Sequence, residues 1–245
     1  MKKTIVFIII GLVTVFCICF GTVMHMGGFA KVFNKSYAVS FIDTDDEEGA
    51  EKSVDGKYAI SEKLDAFSSI RIDARIMSIT IEDGPEFAIE GTYNKTFLKP
   101  EISVSGDKLE VRQAQMKKSK FNTGSQNCKL TITIPGSTKL DKLDIDCNVG
   151  DIRIREISAG DINIDTNVGE IDVHKVDFDN IDCNSNVGEI DINPVKDLDD
   201  YDISVSTDVG EVRVDGRSYK RSYNSHGKGS GKIRLDTNVG EIKVK

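Results

Sequence analysis

The chain has 245 residues, of which 39% are hydrophobic and 29% are charged. This composition excludes a largely disordered chain and suits one domain with a tail. Its 40 acidic residues outnumber its 32 basic residues, which gives a net charge of −8. The balance argues against a nucleic-acid-binding protein, because binding to phosphates needs clustered Lys and Arg.

The N-terminal segment predicts a membrane helix. Residues 4–24 carry no charge and are rich in Ile, Val and Phe. A helix of this length spans roughly 30 Å, the thickness of the hydrocarbon core. Lys2 and Lys3 precede it and place the N-terminus in the cytoplasm. A cleaved signal peptide is the alternative, since Gly28-Phe29-Ala30 suits cleavage, but the apolar run exceeds the usual ~7–15 residues. An uncleaved anchor over residues 1–28 is therefore favoured.

Residues 29–65 are predicted to form an acidic juxtamembrane stalk. Asp43 to Glu48 contains five acids in six residues, and like charges at this density keep a segment solvated and extended. With the N-terminus inside, the stalk and the rest of the chain are expected outside a single-pass cell membrane.

From residue 66 to residue 245 the sequence predicts one all-β domain. Short triplets of β-branched residues alternate with polar ones and are bounded by Gly, Asp and Asn, which is typical of strands. A five-residue motif, Asn/Asp-Val-Gly-Asp/Glu-Ile/Val, then occurs five times at spacings of 19, 19, 22 and 30 residues. Its predicted corner residues are Asn148, Gly150, Asn167, Gly169, Asn186, Gly188, Asp208, Gly210, Asn238 and Gly240.

This repeat predicts a β-solenoid that resembles a parallel β-helix, with about two short strands in each 19–22-residue coil. Each coil is expected to stack on the preceding one at roughly 4.8 Å. The last strand, with Lys243 and Lys245, would then be a charged open edge. The insertion from Asp215 to Lys232 is predicted to project as a loop.

The residue types of the motif suit a tight corner. Glycine permits a positive φ and a close approach between coils. Stacked asparagine amides can hydrogen-bond along the column. The valine of each copy is expected to fill the interior of the corner.

Stacking would also align one carboxylate from each copy into an acidic column, which needs compensation because like charges repel. One hypothesis is a divalent cation, since hard cations bind several oxygen ligands. The favoured one is a solvated face neutralised by Arg153, Arg213 and Lys243. No cofactor is predicted. The candidate metal ligands are Asp151, Glu170, Glu189, Glu211 and Glu241.

Three cysteines lie beyond the anchor: Cys128, Cys147 and Cys183. Their odd number and the absence of a Cys-x-x-Cys pair argue against a zinc site. One disulfide and three buried thiols are both compatible with the sequence. The repeat register favours thiols, because it places Cys183 at an inward position equivalent to Ile164.

From Phe67 to Lys245 the chain resembles the bacterial adhesin-like family called domain of unknown function 4097. The resemblance rests on the opening Phe67-x-x-Ile70-x-Ile72, on the Gly-Asp/Glu-Ile repeats and on the ending over residues 233–242. It implies a β-solenoid ectodomain behind an N-terminal anchor at the bacterial surface. It brings no functional residues with it.

The predicted function is a non-catalytic module for adhesion, scaffolding or envelope sensing, through contact with an envelope protein or a surface glycan. A polysaccharide-active β-helix enzyme and an accessory subunit of a membrane regulatory complex are the alternatives. His174 and His226 stand alone, and no nucleophile–histidine spacing is recognisable, so no catalytic residue is predicted.

Overall fold

The computed structural model describes residues 57–114 and 125–245. The predicted anchor over residues 1–28 and the stalk up to residue 56 lie outside these ranges. Within them, no helix has the length and apolar character needed to cross a membrane. Short 3-10 turns lie at Thr96–Leu98 and Leu198–Asp200. The strands are β1 (Tyr58–Lys63), β2 (Ser69–Ile76), β3 (Ser78–Gly84), β4 (Ala88–Tyr93), β5 (Pro100–Ser105), β6 (Lys108–Gln113), β7 (Cys128–Pro135), β8 (Lys139–Val149), β9 (Ile152–Arg155), β10 (Ser158–Val168), β11 (Ile171–Val187), β12 (Ile190–Pro194), β13 (Tyr201–Val209), β14 (Val212–Val214), β15 (Arg217–Tyr219), β16 (Ser222–Ser225), β17 (Gly231–Val239) and β18 (Ile242–Val244).

The strands form two facing sheets, so the predicted all-β, solenoid-like architecture is confirmed. The first sheet has the order β5-β6-β2-β8-β10-β11-β17-β13-β16. The second has the order β1-β4-β7-β3-β9-β11-β12-β18-β14-β15. Strand β11 belongs to both, because its start pairs in the second sheet and its end in the first.

The core lies between the two sheets and is built by the inward residues of the triplets. In a strand, alternate side chains point to opposite faces, so the first and third residue of each triplet face inward and the middle one faces water. Aliphatic side chains at equivalent positions thus stack through successive coils. Two facing columns, each residue at most 2% exposed, consist of Ile70, Leu143, Ile162, Ile181 and Ile233, and of Ile79, Ile152, Ile171, Ile190 and Ile242.

The expectation that coils stack in chain order is wrong at both ends of the stack. The last coil, β17–β18, lies between β11–β12 and β13–β14. Likewise, the first coil, β2–β3, lies between β6–β7 and β8–β9. Lys243 and Lys245 therefore do not lie on an open edge.

Antiparallel strands explain this exchange at the C-terminal end. The insertion from Asp215 to Lys232 is not a projecting loop, because it contains β15 and β16. These strands pair antiparallel with β14 and β13 and cover their outer edges. Only the inner edges of β13 and β14 remain for the last coil. Below, the segment from 215 to 232 is called the end cap.

The other end of the stack also ends in antiparallel strands, β1, β4 and β5. Strand β1 lies within the segment that the sequence assigned to the stalk. It pairs with β4, and the rings of Tyr58 and Tyr93 stack at 4.9 Å. The sheet thus begins on the N-terminal side of residue 66.

Candidate functional site

The repeated motif forms one continuous corner along the stack, where the chain passes from the first sheet to the second. Because the last coil lies between the third and the fourth, the stacking order differs from the chain order. The corner positions in stacking order are Asn148, Asn167, Asn186, Asn238 and Asp208. This motif corner carries most of the residues that the sequence singled out.

The asparagine amides form a ladder along the corner. Asn167 Nδ2 donates to Asn148 Oδ1 at 2.7 Å, and Asn186 Nδ2 donates to Asn167 Oδ1 at 2.6 Å. Asn238 Nδ2 donates to Asn186 Oδ1 at 2.8 Å, which extends the ladder across the exchanged coil. Each amide thereby fixes the next one, although the side chains are exposed to water.

The glycines allow the coils to approach closely at this corner. Gly188 has φ +157° and Gly240 has φ +159°. A Cβ atom on Gly188 would lie 1.8 Å from the carbonyl oxygen of Gly169. The same clash, at 1.8–2.0 Å from a backbone oxygen, would occur at Gly150, Gly169, Gly210 and Gly240.

The valines of the motif do not fill the corner interior, which corrects the sequence interpretation. Val149, Val168, Val187 and Val209 are 45%, 40%, 37% and 61% exposed. At the corner the regular alternation is interrupted, so that the asparagine and the valine both face outward. The inward position is taken by the residue before them, such as Thr166 at 6% exposure. The corner therefore carries a narrow apolar ridge.

The acidic column follows the glycines, and its carboxylates alternate with bases of the second sheet. Arg213 bridges Glu211 at 2.7 Å and Glu241 at 3.1 Å. Lys243 bridges Glu241 at 3.2 Å and also pairs with Glu189. Each base therefore lies between two stacked acids, which is the compensation that the favoured hypothesis requires.

The N-terminal half of the acidic column is less well compensated. Arg153 contacts Asp151 at 3.2 Å and Glu170 at 3.9 Å. Burial and the nearby Asp151 carboxylate raise the pKa of Glu170. By contrast, hydrogen bonds from Ser218 and Arg213 lower the pKa of Glu211.

A metal site has no support from the geometry of this column. Within residues 57–114 and 125–245, no group of three or more His, Cys, Asp or Glu side chains is arranged to hold a metal ion. The five candidate ligands are spread along five coils instead of converging on one point.

The cysteines are free thiols in the interior. Cys147 and Cys183 are fully buried, and Cys183 lies beside Ile164 and Leu235 as the repeat register predicts. Burial raises the pKa of Cys147 to about 11 and that of Cys183 well above its usual value. Such thiols are protonated at neutral pH and therefore poor nucleophiles.

The end cap is a second candidate surface. The sequence analysis predicted it to be a projecting loop, whereas it contains two short strands. Its short strands have no repeat partner, so the repeat pattern gave no signal for them. Tyr219 and Tyr223, with ring centroids 4.6 Å apart, pack against the core, whereas Lys220 and Arg221 are exposed.

A family model and one solved structure agree with this fold. The family described as Toastrack DUF4097 matches residues 67–197 and 137–245. A solved structure of a proposed cell adhesion protein from Clostridium sporogenes is 17% identical, with a TM-score of 0.63 over 77% of this chain and 99% of that chain. A proposed adhesin from Bacteroides fragilis is 14% identical, with a TM-score of 0.36 over 77% and 97%. Comparison with curated proteins returned no match.

Proposed function

Because the chain belongs to the Toastrack DUF4097 family, we propose that it is a non-catalytic, membrane-anchored module that presents its β-solenoid outside the cell for adhesion. Contact with a surface glycan or an envelope protein is the proposed activity. Scaffolding and envelope sensing would use the same contacts and differ only in what the contact triggers.

The observation that carries this proposal is the fixed polar surface of the stack. Outward side chains of neighbouring coils bond to one another: Asn163 Nδ2 donates to Asp144 Oδ1 at 2.8 Å, and Asn184 Nδ2 donates to Asp165 Oδ1 at 3.0 Å. A surface ordered in this way loses little side-chain entropy when a partner binds. Extended solenoid surfaces are also well suited to large partners.

The proposed location rests on the N-terminal sequence. Residues 4–24 are uncharged and preceded by Lys2 and Lys3, which favours a single span with the C-terminal domain outside. The fold is shared with the proposed cell adhesion protein from Clostridium sporogenes, and adhesion at a surface is compatible with such an anchor.

The proposal of a non-catalytic role is supported by the charge pairing of the acidic column. Glycoside hydrolysis needs two carboxylates with different roles, held ~5–10 Å apart around a sugar. Here Glu189, Glu211 and Glu241 are engaged in ion pairs with Arg213 and Lys243 on an open face.

The experiment expresses the full chain in a bacterium that lacks it. Protease added to intact cells is expected to remove the C-terminal domain and leave the N-terminal residues protected. Cells with the chain are expected to adhere to immobilised surface glycans or envelope proteins more than cells without it. A Gly188→Ala variant, in which the coils clash, serves as the destabilised control, and Gly106→Ala, whose Cβ would meet no atom within 4 Å, as its match.

Three results would contradict the proposal. Equal adhesion of cells with and without the chain would argue against a role in adhesion. Protection of the C-terminal domain in intact cells would place it inside. Release of new reducing ends from a bound polysaccharide, lost when the protein is heat-denatured, would show an enzyme.

A further inference from the structure

The end cap occupies one end of the stack. Its strands β15 and β16 are the outermost strands of the second and first sheet, at the end opposite β1 and β5. Among the residues that the structure describes, no coil covers the outer surface of the cap.

The charge of the end cap is opposite to that of the chain. Between Asp215 and Lys232 there are five bases and one acid, a net charge of +4, in a chain with a net charge of −8. The remaining residues therefore carry −12. The five bases are Arg217, Lys220, Arg221 and Lys228 and, on β17 inside the stack, Lys232.

Most of these bases are not neutralised within the domain. Lys228 bridges Asp199 at 2.9 Å. Among the described residues, Arg217, Lys220 and Arg221 form no ion pair, and all three are exposed. Two bases on the sides of the stack, Arg213 and Lys243, each bridge two carboxylates instead. Three bases without an ion pair thus lie within five residues of one another in the end cap.

Hydrogen-bonding groups lie between the bases of the cap. Ser218, Ser222 and Asn224 are exposed there, and their hydroxyl and amide groups can pair with sugar hydroxyls. This mixture suits a polymer that carries both negative charges and hydroxyl groups.

The aromatic side chains of the end cap are not placed to stack on sugar rings. Tyr219 and Tyr223 lie opposite the core valines Val212 and Val205 and close the end of the core. A neutral glycan would therefore find hydrogen bonds but no aromatic platform, whereas an anionic glycan also gains the charge attraction.

We propose that the end cap is an end-on docking surface for an anionic polysaccharide. The inference rests on the proposed function and specifies which glycan chemistry the module contacts and where. The acidic sides of the stack repel the same polymer and so direct it to the end.

The test uses the full chain, purified in detergent and immobilised, with polygalacturonate as the probe. Dextran is the uncharged control, and polyphosphate is the charged control without hydroxyl groups. The wild-type chain is expected to bind polygalacturonate more tightly than either control, and less tightly as the salt concentration rises.

The variant Lys220→Gln/Arg221→Gln tests the location. It removes two exposed charges from the turn between β15 and β16 and is expected to weaken binding by about tenfold. The matched control, Lys99→Gln/Lys129→Gln, removes two exposed charges near the opposite end and is expected to change binding by less than about twofold. Circular dichroism shows whether both variants keep the wild-type fold. If the Lys220→Gln/Arg221→Gln variant does not fold, Arg217→Gln replaces it.

Four outcomes would overturn the inference. The two double variants could weaken polygalacturonate binding equally. Dextran could bind as tightly as polygalacturonate, or polyphosphate could bind at least as tightly. Finally, the cap could serve only for self-association with the acidic side of another copy. Cell adhesion that survives in the cap variant would leave the proposed function standing. Equal adhesion of cells with and without the wild-type chain would contradict the proposed function and, with it, this inference.

Discussion

Replacement of one corner glycine is expected to destabilise the whole stack. In a Gly188→Ala variant the new Cβ would lie 1.8 Å from the carbonyl oxygen of Gly169. That oxygen would have to move by roughly 1 Å or more to reach ordinary contact. The same coils are joined there by the Gly169 N–H, which donates to Val187 O at 3.1 Å, and by the Asn186–Asn167 bond. Relief of the clash therefore disrupts these bonds.

The expected loss in the free energy of unfolding is about 3–5 kcal/mol. It combines the lost hydrogen bonds, at about 1 kcal/mol each, with the cost of an unfavourable φ and the displacement of a backbone group that cannot rotate away. In a domain of this size such a loss lowers the melting temperature by roughly 10 °C.

Gly216→Ala is the matched control, because it separates the clash from the backbone conformation. Gly216 has φ +70°, and no atom lies within 4 Å of its added Cβ. Only the left-handed conformation is penalised there, by about 1 kcal/mol. Thermal unfolding followed by circular dichroism compares the two variants. Equal melting temperatures for Gly188→Ala and Gly216→Ala would refute the reasoning that close coil contact makes glycine necessary.

Three further predictions concern single side chains. Gln113→Ala should lower the free energy of unfolding by about 2–3 kcal/mol, because the buried amide hydrogen-bonds four backbone groups, one of them Leu98 O at 2.8 Å. Chemical denaturation measures this loss, and an unchanged midpoint would contradict it. Glu170→Gln should raise the melting temperature at pH 7, since a raised pKa means that ionisation of Glu170 disfavours the folded state, whereas Glu211→Gln should lower it. The difference in melting temperature between each variant and the wild type should shrink as the pH falls and the wild-type carboxylates become protonated. Thermal melts from neutral to acidic pH test the direction of both differences. Cys183 should react with a thiol reagent only after unfolding, and rapid labelling of the native chain would show that it is accessible.

The repeat register was readable from the sequence because two periods fix it together. Alternation with period two sets which residues face inward, and the 19-residue spacing sets which residues become neighbours in the stack. The pairing of Cys147 with Thr166, and of Cys183 with Ile164, follows from these two periods and is confirmed.

The stacking order could not be read in the same way, because every copy of the motif offers nearly the same corner. Asn238 donates to Asn186, so the ladder stays intact when the last coil takes the place of the fourth, whose Asp208 carboxylate accepts hydrogen bonds but does not donate them. The spacings of 22 and 30 residues mark the exchange, but they fit an insertion equally well. The exposed valines were missed for a related reason: the corner places Asn167 and Val168 on the outside in succession, which a rule of strict alternation cannot anticipate.

The repetition that stabilises the sides also limits what they can recognise. A partner bound along the motif corner would meet nearly the same Asn, Val and carboxylate groups at each coil, so that a shift by one coil costs it little. A single binding register needs an element that occurs once. The exchange of coils provides such elements, because each end of the stack is covered by antiparallel strands outside the repeat. At one of these ends, Arg217, Lys220 and Arg221 also form no ion pair among the described residues, unlike Arg213 and Lys243 on the sides. Specific recognition is therefore expected at the ends, while the repeated sides hold them apart.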